Sequence, residues 1–159
     1  MATFAKGVWT DVVALASKDR VILPVNVRSQ LRWLSAASSD ALVVVEPENV
    51  VELCSWDSAG REAMDAVQQM LGEASEAERG ELAVAAMDRY LRLNFDAAGR
   101  AVLPTCLVAH LEADKTRTIR VVLHNQRLWL WSERKWCEQR STRISALRAK
   151  AASAQQLQS

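Results

Sequence analysis

The sequence predicts an α+β fold built from two tandem repeats, with a helical pair between them and a further helix at the C-terminal end. Three observations predict it. Arg20-Val21-Ile22-Leu23-Pro24 returns as Arg100-Ala101-Val102-Leu103-Pro104, eighty residues later. A helix-like run follows each proline, with Leu31 and Leu111 at matching places in it. The chain as a whole reads strand-rich, helical, strand-rich, helical. Two copies are too few for a solenoid and suit a small unit that pairs with itself and has been fused into one chain. The expected divisions are a first repeat at 1–56, a connecting helical pair at 57–90, a second repeat with its C-terminal helix at 91–150, and a polar tail at 151–159.

In the first repeat, Val8 to Leu15 is rich in β-branched residues and reads as a strand. Lys18-Asp19 makes a polar turn and Arg20 to Leu23 a short second strand. Pro24 suits the first turn of a helix, where its missing N–H costs nothing. Val27, Leu31 and Leu34 then share one helical face. Ala41 to Val45 and Val50 to Leu53 read as strands joined by the turn Glu46-Pro47-Glu48-Asn49.

Two helices follow. Ala63, Val67 and Met70 recur with helical period behind Asp57, a candidate N-cap. Ser75-Glu76-Ala77-Glu78 fits a capping box, in which Ser75 accepts from the third amide and Glu78 reaches back. Leu82, Ala86 and Tyr90 share the next face. The second repeat then runs through the strand Leu91 to Phe95, the turn Ala97-Ala98-Gly99, the strand Arg100 to Leu103, and a helix begun by Pro104 and carrying Leu107, Val108 and Leu111. Thr118 to Leu123 and Arg127 to Trp131 form a hairpin around His124-Asn125-Gln126. A last helix starts near Ser132 and carries Trp136 and Ile144.

Composition bounds the class. The chain has 159 residues, half of them apolar, enough for one core of ordinary size. No run of eighteen apolar residues crosses a membrane, and no secretory signal is visible, so the expected place is the cytoplasm. Cys54, Cys106 and Cys137 lack CxxC spacing and read as buried, reduced thiols. Net charge is only +1, but it is unevenly spread. Residues 51–93 hold four basic and nine acidic side chains, and residues 94–159 hold eleven basic and five acidic. Such asymmetry suits a DNA-facing basic surface, or two solvated helical faces of opposite sign that attract each other between neighbours.

Phe95-Asp96-Ala97-Ala98-Gly99-Arg100-Ala101-Val102-Leu103-Pro104 resembles the Asp-x-x-Gly-Arg-x-x-x-Pro signature of MraZ proteins, tandem relatives of the AbrB-type swapped-hairpin DNA binders. Leu128-Trp129-Leu130-Trp131-Ser132-Glu133-Arg134-Lys135-Trp136 resembles that family's closing strand and helix start. In the first repeat, Ser17-Lys18-Asp19-Arg20 followed by Pro24 and Arg28 is similar to the family's Asp-x-Lys-Gly-Arg-x-x-x-Pro segment. The resemblance spans residues 4–145. It implies a pseudo-twofold, swapped-hairpin AbrB-like β-barrel with the helical pair outside it. It further implies a sequence-specific, nucleoid-associated transcriptional regulator that binds double-stranded DNA at promoter repeats as a ring-shaped homo-oligomer.

The resemblance assigns DNA contact to Lys18, Arg20 and Arg100, with Lys6 and Arg28 as weaker candidates that read more readily as ordinary surface charges. Guanidinium groups suit this task because they grip phosphate or read guanine with two parallel bonds. Asp19, Asp96, Gly99, Pro24 and Pro104 support the turns. An ion pair to Asp96 is the competing role for Arg100. The first repeat departs from the family pattern, with Ala16 where an aspartate is expected and Asp19 where a glycine is expected. Asp tolerates a left-handed turn, so the fold survives, but a carboxylate between Lys18 and Arg20 would face phosphate and weaken binding. That departure supports the alternative of an oligomeric interaction scaffold with little DNA affinity. An AbrB-like antitoxin is disfavoured by the two copies and the lack of a long wrapping tail.

Enzyme chemistry finds little support. His110 reads as a helix-surface residue and His124 as part of a hairpin turn, and neither joins a nucleophile or carboxylate constellation. No phosphate-cradling glycine loop and no metal-ligand spacing occurs, so no cofactor is implied. Trp129 and Trp131 share one face of a strand and Leu128 and Leu130 the other. A strand apolar on both faces is expected to be buried on both, in a barrel core or at a subunit interface.

Overall fold

The computed structural model describes residues 2–5, 7–34 and 39–158. Among these residues, nine strands form two sheets: β1 (Ala2–Ala5), β2 (Val8–Ala14), β3 (Arg20–Ile22), β4 (Ser39–Glu46), β5 (Val50–Ser55), β6 (Tyr90–Phe95), β7 (Arg100–Val102), β8 (Thr118–His124) and β9 (Arg127–Trp131). Helices α1 (Val25–Arg28), α4 (Thr105–His110) and α5 (Ala113–Thr116) are short. Helices α2 (Arg61–Glu73) and α3 (Glu76–Arg89) form the connecting pair, and α6 (Glu133–Glu138) and α7 (Arg140–Gln158) end the chain. The fold is therefore mixed α and β, with α7 running through the stretch read as a tail. Among the described residues, no helix is long and apolar enough to cross a membrane.

Seven strands lie in the order β1-β2-β8-β9-β5-β4-β6, and β3 pairs with β7 in a separate ladder. Every pairing is antiparallel. The larger sheet is open, with β1 and β6 at its two edges. Pairing runs between the repeats. β2 pairs with β8 of the other copy, β6 with β4, β3 with β7 and β5 with β9. Exchanging the two copies maps this pattern onto itself. Neither half-sheet exists without strands from the other half, so the repeats share one core.

That core follows from strand alternation, which sends every second side chain to one face. Trp9, Val43, Val51, Leu53, Leu93, Phe95, Ile119, Val121, Leu123, Leu128 and Leu130 point inward and are buried. Val21, Leu23, Ala101 and Leu103 close the core from the β3–β7 ladder. Val27, Leu31 and Leu34 behind Pro24, and Leu107, Val108 and Leu111 behind Pro104, complete it. Burying a leucine of this kind stabilises by about 1.5–3 kcal/mol, which offsets the ordering of such short strands.

The structure departs from the local sequence signals at several positions. Pro24 and Pro104 sit at the N-cap, just before the helix, with φ of −58° in both. Their carbonyls accept from Val27 and Arg28, and from Leu107 and Val108. Asp57 caps nothing; it lies inside a π-turn, Trp56–Gly60, that leads into α2. There the Trp56 ring lies over Gly60, where a Cβ would come within 2.8 Å of it. Ser75 does cap α3, accepting from the Glu78 amide, but the carboxylate of Glu78 makes no return bond among the described residues. The strand β9 is buried on one face only. Leu128 and Leu130 fill the core, whereas Trp129 and Trp131 are half-buried outside, with Trp131 edge-on to Trp136 at 5.4 Å. The three cysteines are free, yet only Cys54 is even half-buried; Cys106 and Cys137 are exposed. His110 is half-buried rather than on the surface, its Nε2 at 2.9 Å from the Glu46 carbonyl and 3.2 Å from that of Val50, where it bridges to the β4–β5 turn.

Candidate nucleic-acid interface

The β3–β7 ladder brings the repeated motif together. Arg20 lies opposite Val102, Val21 opposite Ala101 and Ile22 opposite Arg100. Val21 and Ala101 point into the core, so alternation turns Arg20, Ile22, Arg100 and Val102 outward. Arg20 and Arg100 are diagonal neighbours on that outer face, at positions typically about 7–8 Å apart. Ile22 and Val102 remain 43% and 58% exposed beside them. A shallow cleft runs along this face, lined by Arg20, Asn94, Asp96, Arg100, Ala101 and Val102. Each repeat thus supplies one arginine to one surface.

Each ladder end is fixed by a turn from the other repeat. Leu23 donates its amide to the Gly99 carbonyl at 3.0 Å, and Leu103 donates to the Asp19 carbonyl at 2.9 Å. Asp19 and Gly99 occupy equivalent places, and both adopt left-handed backbone, with φ of 55° and 74°. Lys18 joins them at 60°. Its side chain and that of Arg20 form no ion pair among the described residues.

In the second turn, Asp96 organises the backbone. Its Oδ1 accepts from the amides of Ala98 and Arg100, both at 2.9 Å, and its Oδ2 accepts from Arg100 Nε at 2.8 Å. The Arg100 amide, above all, holds the Asp96 carboxyl below the usual carboxylate range. The ion pair that competed with DNA contact for Arg100 is therefore formed, while Arg100 stays exposed. One guanidinium edge is held by Asp96, which fixes its direction.

The first turn lacks that aspartate and is braced from outside. Arg117 Nη1 donates to Asp19 Oδ1 at 2.6 Å and its Nη2 to the Ala16 carbonyl at 3.4 Å. The Arg117 carbonyl also accepts from the Leu15 amide at 2.7 Å. Asp19 therefore spends its charge on Arg117 and does not stand alone between Lys18 and Arg20. Sequence reasoning missed Arg117 because its partner lies 98 positions away and Thr116-Arg117-Thr118 carries no local motif.

Arg28 has fixed partners. It is a bracing residue, not an ordinary surface charge. Its Nε donates to the Leu23 carbonyl at 3.1 Å and its Nη1 to the Ala97 carbonyl at 3.4 Å. Its side chain lies across Gly99, where a Cβ would come within 2.1 Å of Arg28 Cδ. Glycine at 99 takes this φ without strain and leaves room for this close approach. Lys6 lies outside the described residues.

Residues 91–158 match the family described as "MraZ protein, putative antitoxin-like". The matched stretch holds the Asp96–Arg100 turn, Pro104, the β8–β9 hairpin and α7. No curated protein matches the chain. Residues 91–158, with the motif that begins at Asp96, are thus similar to the MraZ family.

Proposed function

We propose that the chain is a sequence-specific DNA-binding transcriptional regulator, and that the outer face of the β3–β7 ladder meets double-stranded DNA. The carrying observation is the convergence of Arg20 and Arg100, one from each repeat, on that face, with Lys18 at its end. A two-stranded ribbon fits the major groove, where an arginine can bind guanine bidentately and phosphate contacts set register. The two apolar side chains between the arginines suit the thymine methyl group. In this reading the pseudo-twofold unit is the AbrB-type swapped-hairpin barrel, the repeats divide at 1–56 and 91–150 around the helical pair, and the protein acts in the nucleoid as a ring-shaped homo-oligomer on promoter repeats. Lys18, Arg20 and Arg100 make the contacts. Asp19, Asp96, Gly99, Pro24, Pro104 and Arg28 hold the turns that aim them.

A scaffold with the same fold and little DNA affinity is the second reading. Its support is that Asp19 and Asp96 each pair with an arginine at the two turns, which lowers the positive charge on offer. Fluorescence anisotropy decides between them, with a labelled duplex from the protein's own promoter against a scrambled duplex. The regulator binds the promoter duplex more tightly, with an affinity that falls as salt rises. Equal and negligible binding to both supports the scaffold.

A further inference from the structure

We infer that α7 of one chain lies in an apolar groove on the α2–α3 pair of a second copy, which names the docking surfaces of the homo-oligomeric reading on which it rests. Neither element is finished within its own chain. Helices α2 and α3 contain no buried residue. Between them runs a groove lined by Met64, Val67, Leu71, Ala83, Met87 and Tyr90, among others, with no cation in its lining. Met87 is 65% exposed there. Around the groove, residues 61–89 carry seven acidic and three basic side chains.

Helix α7 is the complement of that groove. It too contains no buried residue. It carries Arg140, Arg143, Arg148 and Lys150 and no acidic side chain. Ile144, Leu147, Ala151, Ala154 and Leu157 recur at spacings of three and four, so they form one stripe along the helix. Leu147 is 71% exposed and Leu157 89%. At 1.5 Å per residue the stripe is about 20 Å long, and so are α2 and α3. Apolar pattern, length and charge therefore match between two surfaces of the same chain. Within one chain they do not meet, since the groove's lining comes from α2, α3 and Tyr90. Two different, mutually complementary surfaces give a head-to-tail contact, which closes into a ring when the rotation permits.

Two full-length variants test this. Leu147→Asp puts a carboxylate on the stripe, and Met87→Lys puts an ammonium in the groove. Both side chains are mostly exposed, so each variant should keep the circular dichroism of the parent; Leu157→Asp repeats the helix arm at a still more exposed position. Mass photometry of the parent should give a mass of several chains that falls as salt rises. Each variant alone should give single chains. Mixing Leu147→Asp with Met87→Lys should restore one intact contact and yield a dimer of unlike chains and nothing larger. A parent ring that persists in both variants overturns the docking and leaves the ring standing. So does a mixture that stays monomeric, or a ring lost in Leu147→Asp but kept in Met87→Lys, which would mean that α7 pairs with itself. A monomeric parent overturns the homo-oligomeric reading and the docking together.

Discussion

Asp19 and Gly99 hold the same place in the two repeats, and the chain meets the same backbone demand there in two ways. At 99 a glycine takes the left-handed conformation without cost and leaves room for Arg28. Gly99→Ala should therefore destabilise the fold by about 1–2 kcal/mol from backbone strain alone, with more from displacing Arg28. Urea unfolding measures it, and an unchanged midpoint would refute the bracing role of Arg28. At 19 an aspartate takes the same conformation and ties down Arg117. Asp19→Gly should relieve the backbone and free a guanidinium beside Lys18 and Arg20. DNA affinity should rise, and the plot of log affinity against log salt should steepen by roughly 0.9 for each added phosphate contact. Titrations at several salt concentrations test this; a parallel pair of lines would mean that the first turn stands away from the DNA.

The end of β9 and the start of α6 show how an element is held by its caps. Ser132 is fully buried, its Oγ accepting from the Lys135 amide and donating to Glu112 Oε1 at 2.8 Å. Ser132→Ala should cost about 1–2 kcal/mol, since a cap is lost and a buried bond with it, read as a lower urea midpoint. Glu133, one residue on, grips Arg120 with both oxygens at 2.7 and 2.8 Å. That guanidinium holds the Glu133 carboxyl below its ordinary range, and Arg134 and then Ser132 do the same for Glu112. Groups depressed in the folded state add stability that is fully present above the unfolded glutamate pKa of about 4.3. It is lost as pH falls through the folded values. The urea midpoint should therefore hold from pH 7 to about pH 5 and drop below it, with a shallower drop in Glu133→Gln. An unchanged acid slope in that variant would remove Glu133 from the account. At this scale the strands and helices were readable because alternation and helical period are local signals. The cap at Ser75 was readable for the same reason, as was the start of a helix near Ser132. The π-turn at Trp56–Gly60, the placement of His110 against the β4–β5 turn and the exposure of Cys106 and Cys137 depend on what packs alongside, which no local pattern encodes.

The whole molecule is organised by the repeat. The eighty-residue recurrence made the pairing of equivalent segments legible, and Leu23 to Gly99 with Leu103 to Asp19 is its direct imprint in hydrogen bonds. The bracing by Arg28 and Arg117 was not legible, because each reaches a turn of the other repeat, 69 and 98 positions away. The same two-copy arrangement sets what a mutation at the ladder should do. Arg20 and Arg100 share one outer face, so removing both should cost more than removing either, and a ring that presents the face many times multiplies the loss across engaged subunits. The most direct measurement is the affinity of Arg20→Ala/Arg100→Ala for the promoter duplex, set beside the parent at one salt concentration. At about 1 kcal/mol or more per lost charge-assisted contact, binding should weaken at least tenfold, the salt slope should flatten, and the urea midpoint should stay close to that of the parent. A double variant that binds the duplex as tightly as the parent would contradict the claim that the β3–β7 ladder meets DNA.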